Sequence, residues 1–163
     1  MSRIHYIKGD ATRPDACHGP KIIAHIVNDE GRWGKGFALA LGNVFPSARI
    51  DYLRWHRDGP HFGLGKVKFS APKENGSTSP WIAHMVAQHS IQIVSRPLAT
   101  PPIRYESLRI CLHIVSAAAA NSKRTVHMPR IGTGLAGGRW EVIEPMINQT
   151  LCDKGVDVYV YDL

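Results

Sequence analysis

The apolar and polar residues of the chain alternate between two kinds of segment. Lys21–Asn28 and Trp81–Gln88 are almost continuously apolar, and such runs are typical of strands that are buried on both faces of a sheet. Shorter apolar stretches predict four more strands, at residues 4–8, 66–70, 125–128 and 156–163. The pattern therefore predicts a sheet of six strands.

Segments in which apolar residues recur at helical spacing separate these strands. Helices are predicted at residues 37–45, 47–59 and 105–122, and a fourth helix begins at Arg139. Pro46 is expected to end the first helix, and Ser47 is expected to cap the second helix, which Gly59 then stops. Strands that alternate with helices through mostly short connections predict an α/β protein, with one mixed sheet and helices on both faces.

Length and composition indicate one globular domain over residues 1–163. This length is enough for one domain with a sizeable core and too short for two ordinary domains. No apolar run approaches the roughly 20 residues that span a bilayer, so no membrane partner is expected. The three cysteines lie far apart and do not suggest a disulfide framework, so a cytoplasmic location is expected.

The net charge of +7 and the isoelectric point of about 9.6 favour polyanionic partners, such as nucleotides or nucleic acid. Nucleic acid ranks behind nucleotides, because the chain lacks interleaved aromatic residues and any recognised nucleic-acid-binding module. The nine histidines lack the spacing of metal ligands, so no metal site is expected.

Two predicted strand-to-helix turns are rich in glycine. The segment NDEGRWGKG contains Gly31, Gly34 and Gly36, and PRIGTGLAGG contains four glycines between residues 132 and 138. Ligands of open α/β sheets bind beyond the carboxyl ends of the strands, where helix N-termini present unpaired N–H groups. Glycine lets the backbone approach a phosphate closely, so two such turns on one sheet favour phosphate binding over simple tight turns.

Two familiar classes of nucleotide-binding protein are not expected. Gly132, Gly134 and Gly137 match the dinucleotide fingerprint G-x-G-x-x-G, but one strand follows them and no second nucleotide-binding half remains. A P-loop requires Gly-Lys-Ser or Gly-Lys-Thr, and the sequence contains neither. The glycine turns are therefore interpreted as a phosphate site of another kind.

Two polar residues follow predicted strands at the same edge of the sheet. Asp10 can accept a hydrogen bond from the exocyclic amine of a base, although a turn or capping role is commoner for such an aspartate. Asn28 can hold a ribose hydroxyl through its amide, or it can form an Asx-turn. The sequence leaves both pairs of alternatives open.

Three separated motifs resemble the macrodomain family: IKGDAT, IAHIVNDEGRWGKGFALAL and HMPRIGTGLAGGRWEVIEPMI. Their order and spacing extend the resemblance over essentially the whole chain. The forms GRWGKG and RIGTGL are similar to the branch that includes the terminal ADP-ribose protein glycohydrolase and the yeast ADP-ribose 1″-phosphatase. The resemblance implies a three-layer α/β/α sandwich around a mixed, mostly parallel sheet, with ADP-ribose in a cleft and no cofactor.

The resemblance also implies binding roles, residue by residue. Asp10 matches the residue that contacts the adenine amine, with the amide of Ala11 beside it, and Asn28 faces the distal ribose. Two loops match those around the distal ribose and the diphosphate: Gly34, Lys35, Gly36 and Phe37, and Arg130, Ile131, Gly132, Thr133, Gly134, Leu135 and Ala136.

The chain departs from the glycohydrolase pattern at two positions. Gln88 and Ala136 stand where the resembled enzyme has an attacking lysine and an assisting acid. An amide is no Schiff-base nucleophile and a methyl group is no base, so a covalent lysine route is not expected. Asn28 and Gln88 are the predicted catalytic residues, which would orient the ribose and a water, with His89 as a further candidate base.

The resemblance implies a hydrolase that removes mono-ADP-ribose from glutamate and aspartate side chains, with ADP-ribose and ADP-ribosylated proteins as partners. Two alternatives share the same binding residues: a reader that binds ADP-ribose without turnover, and an ADP-ribose 1″-phosphate phosphatase. A long irregular segment, residues 90–103, contains three prolines and is predicted to be a functional loop.

Overall fold

A computed structural model describes residues 1–74, 76–91 and 100–163, and the side chains of all of these except Ser77. The predicted loop at 90–103 thus lies largely outside the described residues. No helix in the described ranges is long and apolar enough to cross a membrane. In chain order the strands and helices are β1 (Ile4–Lys8), β2 (Lys21–Asn28), α1 (Phe37–Val44), α2 (Pro46–Asp58), β3 (Val67–Ser70), β4 (Trp81–Gln88), α3 (Tyr105–Ser122), β5 (Thr125–Met128), α4 (Trp140–Thr150) and β6 (Val158–Asp162).

The six strands form one sheet in the order β1-β6-β5-β2-β4-β3. Every neighbouring pair is parallel except β3 and β4, which are antiparallel. In the register of the central strands, Ile23 of β2 lies beside His127 of β5, and Asn28 lies beside Gln88 at the end of β4. The predicted mixed, mostly parallel sheet is confirmed.

Alternate residues of β2 point to opposite faces of the sheet and pack against different helices. Ile22 shares a buried cluster with Leu112 of α3 and Ile147 of α4. Its neighbour Ile23 packs on the other face, in a cluster that includes Leu41 of α1 and residues at the start of α2. The helices therefore cover both faces, which confirms the predicted three-layer sandwich.

The boundary between α1 and α2 differs from the prediction. Helix α2 begins at Pro46, one residue before the predicted cap Ser47, and no side chain caps it. The predicted Ser47 cap is wrong, because proline fits the first turn of a helix, where its missing N–H would have no partner. Gly59 follows the end of α2 as predicted, and a Cβ at this position would lie 1.9 Å from the carbonyl oxygen of Trp55.

Candidate functional site: two glycine turns at one edge of the sheet

The two glycine-rich segments leave the sheet side by side. β2 and β5 are hydrogen-bonded neighbours that run in the same direction, so the residues that follow them emerge at the same carboxyl edge. We name residues 29–36 the first turn and residues 129–139 the second turn. β1 is also parallel to this part of the sheet, through β6, so Asp10 follows a strand that ends at the same edge.

The buried side chain of Asn28 holds the first turn together. Its Oδ1 accepts the backbone N–H groups of Glu30 at 3.0 Å and Arg32 at 3.1 Å, and its Nδ2 donates to the carbonyl oxygen of Arg32 at 2.6 Å. The Tyr52 hydroxyl donates to the backbone oxygen of Asn28 at 2.7 Å. The Asx-turn alternative is therefore present. The second amide proton of Nδ2 has no acceptor within the described residues, and a role at the ribose stays a prediction.

The side chain of Trp33 in the first turn packs against two buried histidines of the sheet, His25 and His84. The ring of Trp33 lies edge-on to His25 and His84, with ring centroids 5.6 and 6.0 Å away. His25 Nε2 lies 2.8 Å from His84 Nδ1, and His84 Nε2 lies 2.9 Å from the hydroxyl of Ser70. Burial lowers the pKa of His25 to about 3 and moves the pKa of His84 in the same direction. Both histidines are therefore neutral, and the chain of hydrogen bonds carries no charge.

The outer part of the first turn is open. A Cβ added at Gly34 or Gly36 would meet no atom of the described residues within 4 Å, whereas one at Gly31 would lie 2.2 Å from Nδ1 of His56. Gly36 precedes α1 with a φ of 70°, and no side chain caps this helix. The backbone N–H groups of Gly34, Lys35 and Phe37 have no acceptor within the described residues. The turn thus presents free donors beside an uncapped helix N-terminus.

Three glycines of the second turn, Gly132, Gly137 and Gly138, are closely packed, and Gly134 is open to the described residues. A Cβ at Gly132 would lie 2.6 Å from Cδ1 of Ile103, and the φ of Gly132 is 75°. A Cβ at Gly138 would lie 2.6 Å from the carbonyl oxygen of Gly132, to which the N–H of Gly138 donates at 2.7 Å. A Cβ at Gly134 would meet nothing within 4 Å among the described residues. Different glycines therefore close the turn and keep its outer surface bare.

Four backbone N–H groups in the second turn have no hydrogen-bond acceptor among the described residues. Within the part of the chain that the structure describes, no acceptor pairs with the backbone N–H groups of Gly132, Gly134, Leu135 and Ala136. The side chain of Leu135 is 60% exposed, while Ala136 is buried and its carbonyl oxygen accepts the N–H of Ile103 at 3.0 Å. A run of unpaired N–H groups in a glycine turn is an anion-binding arrangement.

The loop after β1 places a carboxylate at the same edge. Asp10 is exposed, and its Oδ1 accepts the backbone N–H of Thr12 at 2.9 Å and the hydroxyl of Thr12 at 2.7 Å. Asp10 Oδ2 makes no hydrogen bond within the described ranges. Arg130 of the second turn donates from Nε to Asp162 Oδ1 at 2.8 Å, and this hydrogen bond lowers the pKa of the Asp162 carboxyl. Asp10 therefore forms the turn that the sequence left open, and its contact with an adenine amine stays a prediction.

The end of β4 contributes a further group of polar side chains. Gln88 is half-buried, and its Nε2 donates to the carbonyl oxygen of Ser90 at 3.0 Å. His89 Nδ1 lies 2.7 Å from Oδ2 of Asp29, and Asp29 Oδ1 accepts the backbone N–H of Ser90 at 2.8 Å. Sequence reasoning did not select Asp29, although an acidic residue directly after a central parallel strand was a signal for it.

Among the described residues, no group of three histidine, cysteine, aspartate or glutamate side chains is arranged to hold a metal ion. The structure brings the other predicted site residues to one edge: Asn28, Gln88, Gly34, Lys35, Gly36 and Phe37 on the first side, and Arg130, Ile131, Gly132, Thr133, Gly134, Leu135 and Ala136 on the second. At this edge both turns present backbone N–H groups that have no acceptor among the described residues.

Solved structures show which class of protein has this fold. A Streptomyces coelicolor protein described as a macrodomain protein is 41% identical, with a TM-score of 0.82 and 99% of each chain covered. A Bacteroides thetaiotaomicron protein, described as having unknown function, is 44% identical, with a TM-score of 0.88 and 99% of each chain covered. The chain belongs to the macrodomain family, and no family model matches it.

Curated relatives extend the likeness to proteins with named activities. The human ADP-ribose glycohydrolase OARD1 is 24% identical over 99% of this chain and 93% of its own length. An ADP-ribose 1″-phosphate phosphatase from Lodderomyces elongisporus is 26% identical over 98% and 99%. The mouse chromodomain-helicase-DNA-binding protein 1-like is 30% identical over 97% of this chain. The chain spans 17% of the length of that mouse protein and 15% of its zebrafish counterpart.

Proposed function

We propose that the cleft binds ADP-ribose and that the protein hydrolyses the ester between ADP-ribose and a glutamate or aspartate side chain. The observation that carries the proposal is the pair of open glycine turns. After adjacent parallel strands they leave backbone N–H groups without acceptors among the described residues, at Gly34 and Lys35 and again at Gly134 and Leu135. ADP-ribosylated proteins are the proposed partners.

The diphosphate is the part of ADP-ribose that these turns suit. An anion accepts several backbone N–H groups at once and is stabilised further by the positive end of a helix. Bare backbone at Gly34 and Gly134 gives phosphate oxygens room to approach. Asp10 Oδ2 then remains for the adenine amine, and Asn28 and Gln88 lie where the distal ribose would follow.

The names of the relatives support hydrolysis as the reaction. One relative is named for ADP-ribose glycohydrolysis and another for removing the 1″-phosphate of ADP-ribose. Gln88 and Ala136 provide neither a nucleophilic amine nor a base, so a water is the proposed nucleophile. A cleft of this kind lowers the barrier by positioning the ester and by stabilising developing charge through oriented N–H groups.

Two further functions share the cleft. The amide of Gln88 and the methyl of Ala136 favour a reader that binds ADP-ribose and does not turn it over. The likeness to the phosphatase favours ADP-ribose 1″-phosphate as the substrate. Both depend on the same diphosphate and adenosine contacts, so only the measured reaction separates them.

The deciding experiment offers the protein three substrates: a glutamate-linked mono-ADP-ribosylated protein, a serine-linked one, and ADP-ribose 1″-phosphate. The proposal expects free ADP-ribose from the glutamate ester at a rate well above that of the buffer. Borohydride added during turnover is expected to trap no ADP-ribose on the protein, because no lysine attacks. Release from the phosphate alone would instead support the phosphatase, and binding without release from any substrate would support the reader.

A second experiment tests the adenine end of the cleft. Asp10→Ala is expected to weaken binding of ADP-ribose by roughly 1.5–3 kcal/mol, the range for a hydrogen bond to a charged group. An inosine analogue lacks the amine, so it should bind the parent protein as weakly as ADP-ribose binds the variant. If the parent protein binds ADP-ribose and the inosine analogue with equal affinity, Asp10 does not contact the adenine amine and only forms the turn with Thr12.

A further inference from the structure

We infer that Asp29 and His89 form the proton-accepting pair of the ester hydrolysis proposed above, on which this inference rests. Asp29 directly follows β2 and His89 directly follows β4. The residues before them, Asn28 and Gln88, are cross-strand partners, and His89 Nδ1 lies 2.7 Å from Asp29 Oδ2. The pair therefore stands at the carboxyl edge, next to both predicted catalytic residues.

The backbone on both sides of the pair is fixed. The N–H of Asp29 donates to the carbonyl oxygen of Gln88 at 3.0 Å, and Asp29 Oδ1 accepts the N–H of Ser90 at 2.8 Å. Ser90 has a φ of 63°, a left-handed conformation that is unfavourable for a residue with a Cβ. Asp29 thus holds the chain beyond β4 in an unusual conformation, which sets the position of His89.

Backbone hydrogen bonds also link His89 to the second turn through Pro102 and Ile103. Its N–H donates to the carbonyl oxygen of Pro102 at 2.8 Å, and the next residue, Ile103, donates its N–H to the carbonyl oxygen of Ala136 at 3.0 Å. Ala136 occupies the position where the resembled glycohydrolase has its assisting acid. The Asp29–His89 pair is therefore a titratable group whose backbone is linked, through Pro102 and Ile103, to a position where this chain lacks one.

The carboxylate determines which ring nitrogen of His89 can accept a proton. An ionised aspartate only accepts hydrogen bonds, so Nδ1 carries the proton and Nε2 retains its lone pair. The side chain of Asp29 is 19% exposed, whereas that of His89 is 56% exposed and accessible to water. The arrangement has the same logic as the histidine and aspartate of a hydrolytic triad, with water in place of a nucleophilic side chain.

The proposed step needs no reactant other than the ester and a water molecule. The oxygen of a water bonds to C1″ of the distal ribose, and the bond between C1″ and the ester oxygen breaks. The carboxylate of the glutamate leaves with the electron pair, and the proton of the water passes to His89 Nε2. Because a carboxylate leaves without being protonated, the site needs a base and no acid. This requirement matches an ester better than a linkage to an amine or an alcohol.

The pair predicts how turnover depends on pH. Two charged groups contact residues bonded to the pair: Glu30, whose Oε1 lies 3.4 Å from the hydroxyl of Ser90, and Arg104, whose Nη1 donates to the carbonyl oxygen of Pro102 at 3.2 Å. A proton on Nε2 removes the acceptor, so kcat should be lower in acid. Binding of ADP-ribose should change less.

The test compares four proteins on a glutamate-linked ADP-ribosylated substrate. His89→Ala should lower kcat by about 10²–10⁴-fold, the usual contribution of a general base, and should lose the acid limb of the pH profile. Added imidazole should restore part of the rate. Asp29→Asn presents an NH₂ group to Nδ1 and reverses the tautomer, so kcat should fall at least about 10²-fold with little change in KM. His113→Ala, which changes an exposed histidine of α3, is the matched control and should behave as the parent.

The outcomes separate this inference from the function on which it rests. Turnover by His89→Ala at the parental rate, or with the parental pH profile, overturns the role of the pair and leaves the hydrolase proposal standing. No turnover by the parent overturns both, and calorimetry with ADP-ribose then shows whether binding survives. In water labelled with ¹⁸O, attack at C1″ leaves the released glutamate unlabelled. Label in its carboxylate would contradict the step as written.

Discussion

The two glycine turns of the cleft are held by different means. Side chains hold the first turn: the amide of Asn28 bonds the backbone of Glu30 and Arg32, and Trp33 lies edge-on to a buried pair of histidines. Backbone bonds and close packing hold the second turn. In it the N–H of Gly138 reaches the carbonyl oxygen of Gly132 at 2.7 Å, and Ile103 fills the space beside both glycines. Each turn nevertheless leaves its outer amides free.

The comparison shows that glycines in one motif perform two tasks. At Gly31 and Gly132 an added Cβ would lie 2.2 and 2.6 Å from a neighbouring side chain, whereas at Gly34 and Gly134 it would meet no atom of the described residues within 4 Å. A substitution at the first kind tests folding, and a substitution at the second kind tests binding.

Gly132→Ala should destabilise the protein most. The added Cβ would lie 2.6 Å from Ile103, at a φ of 75°, so left-handed strain adds to overpacking. Together these should lower the free energy of unfolding by about 2–5 kcal/mol. Gly134→Ala is the matched control, because its Cβ meets no described atom, and its stability should lie within about 0.5 kcal/mol of the parent. Chemical denaturation measures both. Equal losses in the two variants would contradict the distinction between the two kinds of glycine.

Gly134→Val should affect binding more than folding. A branched side chain at this position occupies the space beside the free amides of the second turn, where a phosphate oxygen is proposed to lie. Losing one hydrogen bond to a charged group should weaken ADP-ribose binding by about 1.5–3 kcal/mol. Calorimetric titration measures the affinity, and thermal unfolding without ligand provides the control. If the variant binds ADP-ribose as tightly as the parent does, the diphosphate does not lie at this turn.

As the pH is lowered, the first turn should lose stability at a higher pH than the second turn. Burial lowers the pKa of His25 to about 3 and also lowers that of His84, so the folded state resists protons that the unfolded chain binds below about pH 6.5. Stability is therefore fully present above that pH and is lost as the pH falls towards 3, with a slope of up to about 1.4 kcal/mol per pH unit for each histidine.

Hydrogen exchange at a series of pH values checks this prediction residue by residue. After correction for the intrinsic exchange rate, protection around Trp33 should decrease at a higher pH than protection around Gly138. One buried histidine, His127, precedes the second turn on β5, and burial lowers its pKa to about 3 as well, so acid should act on this turn through one histidine and on the first turn through two. Uniform loss of protection in both turns, or stability that stays constant from pH 6.5 to 4.5, would count against it.

Tyr52→Phe should have the smallest effect. The change removes the hydroxyl that donates to the backbone oxygen of Asn28 at 2.7 Å and preserves the buried ring. One lost hydrogen bond should lower the free energy of unfolding by about 0.5–1.5 kcal/mol. ADP-ribose affinity should decrease slightly, because the first turn is less firmly held. Denaturation and titration of the same sample measure both effects, and a change in affinity greater than that of Gly134→Val would reverse the expected order.

The sequence predicted the strands, the helices and the edge where the glycines lie, because apolar periodicity and turn residues are local signals. It could not show which glycines are packed, since the obstacle beside Gly132 is Ile103, which reaches it from a distant segment. It also could not pair Asp29 with His89, because their contact depends on the register of β2 against β4. The Ser47 cap failed for a local reason, since proline at position 46 begins a helix as readily as it ends one.

Calorimetric titration of the unmodified protein with ADP-ribose tests whether the two glycine turns form a binding site for its diphosphate. We expect measurable heat, with one ligand bound per chain. A ligand concentration 100 times the dissociation constant should also raise the free energy of unfolding by about 2.7 kcal/mol. The absence of heat, together with an unchanged melting temperature at saturating ADP-ribose, would contradict such a site.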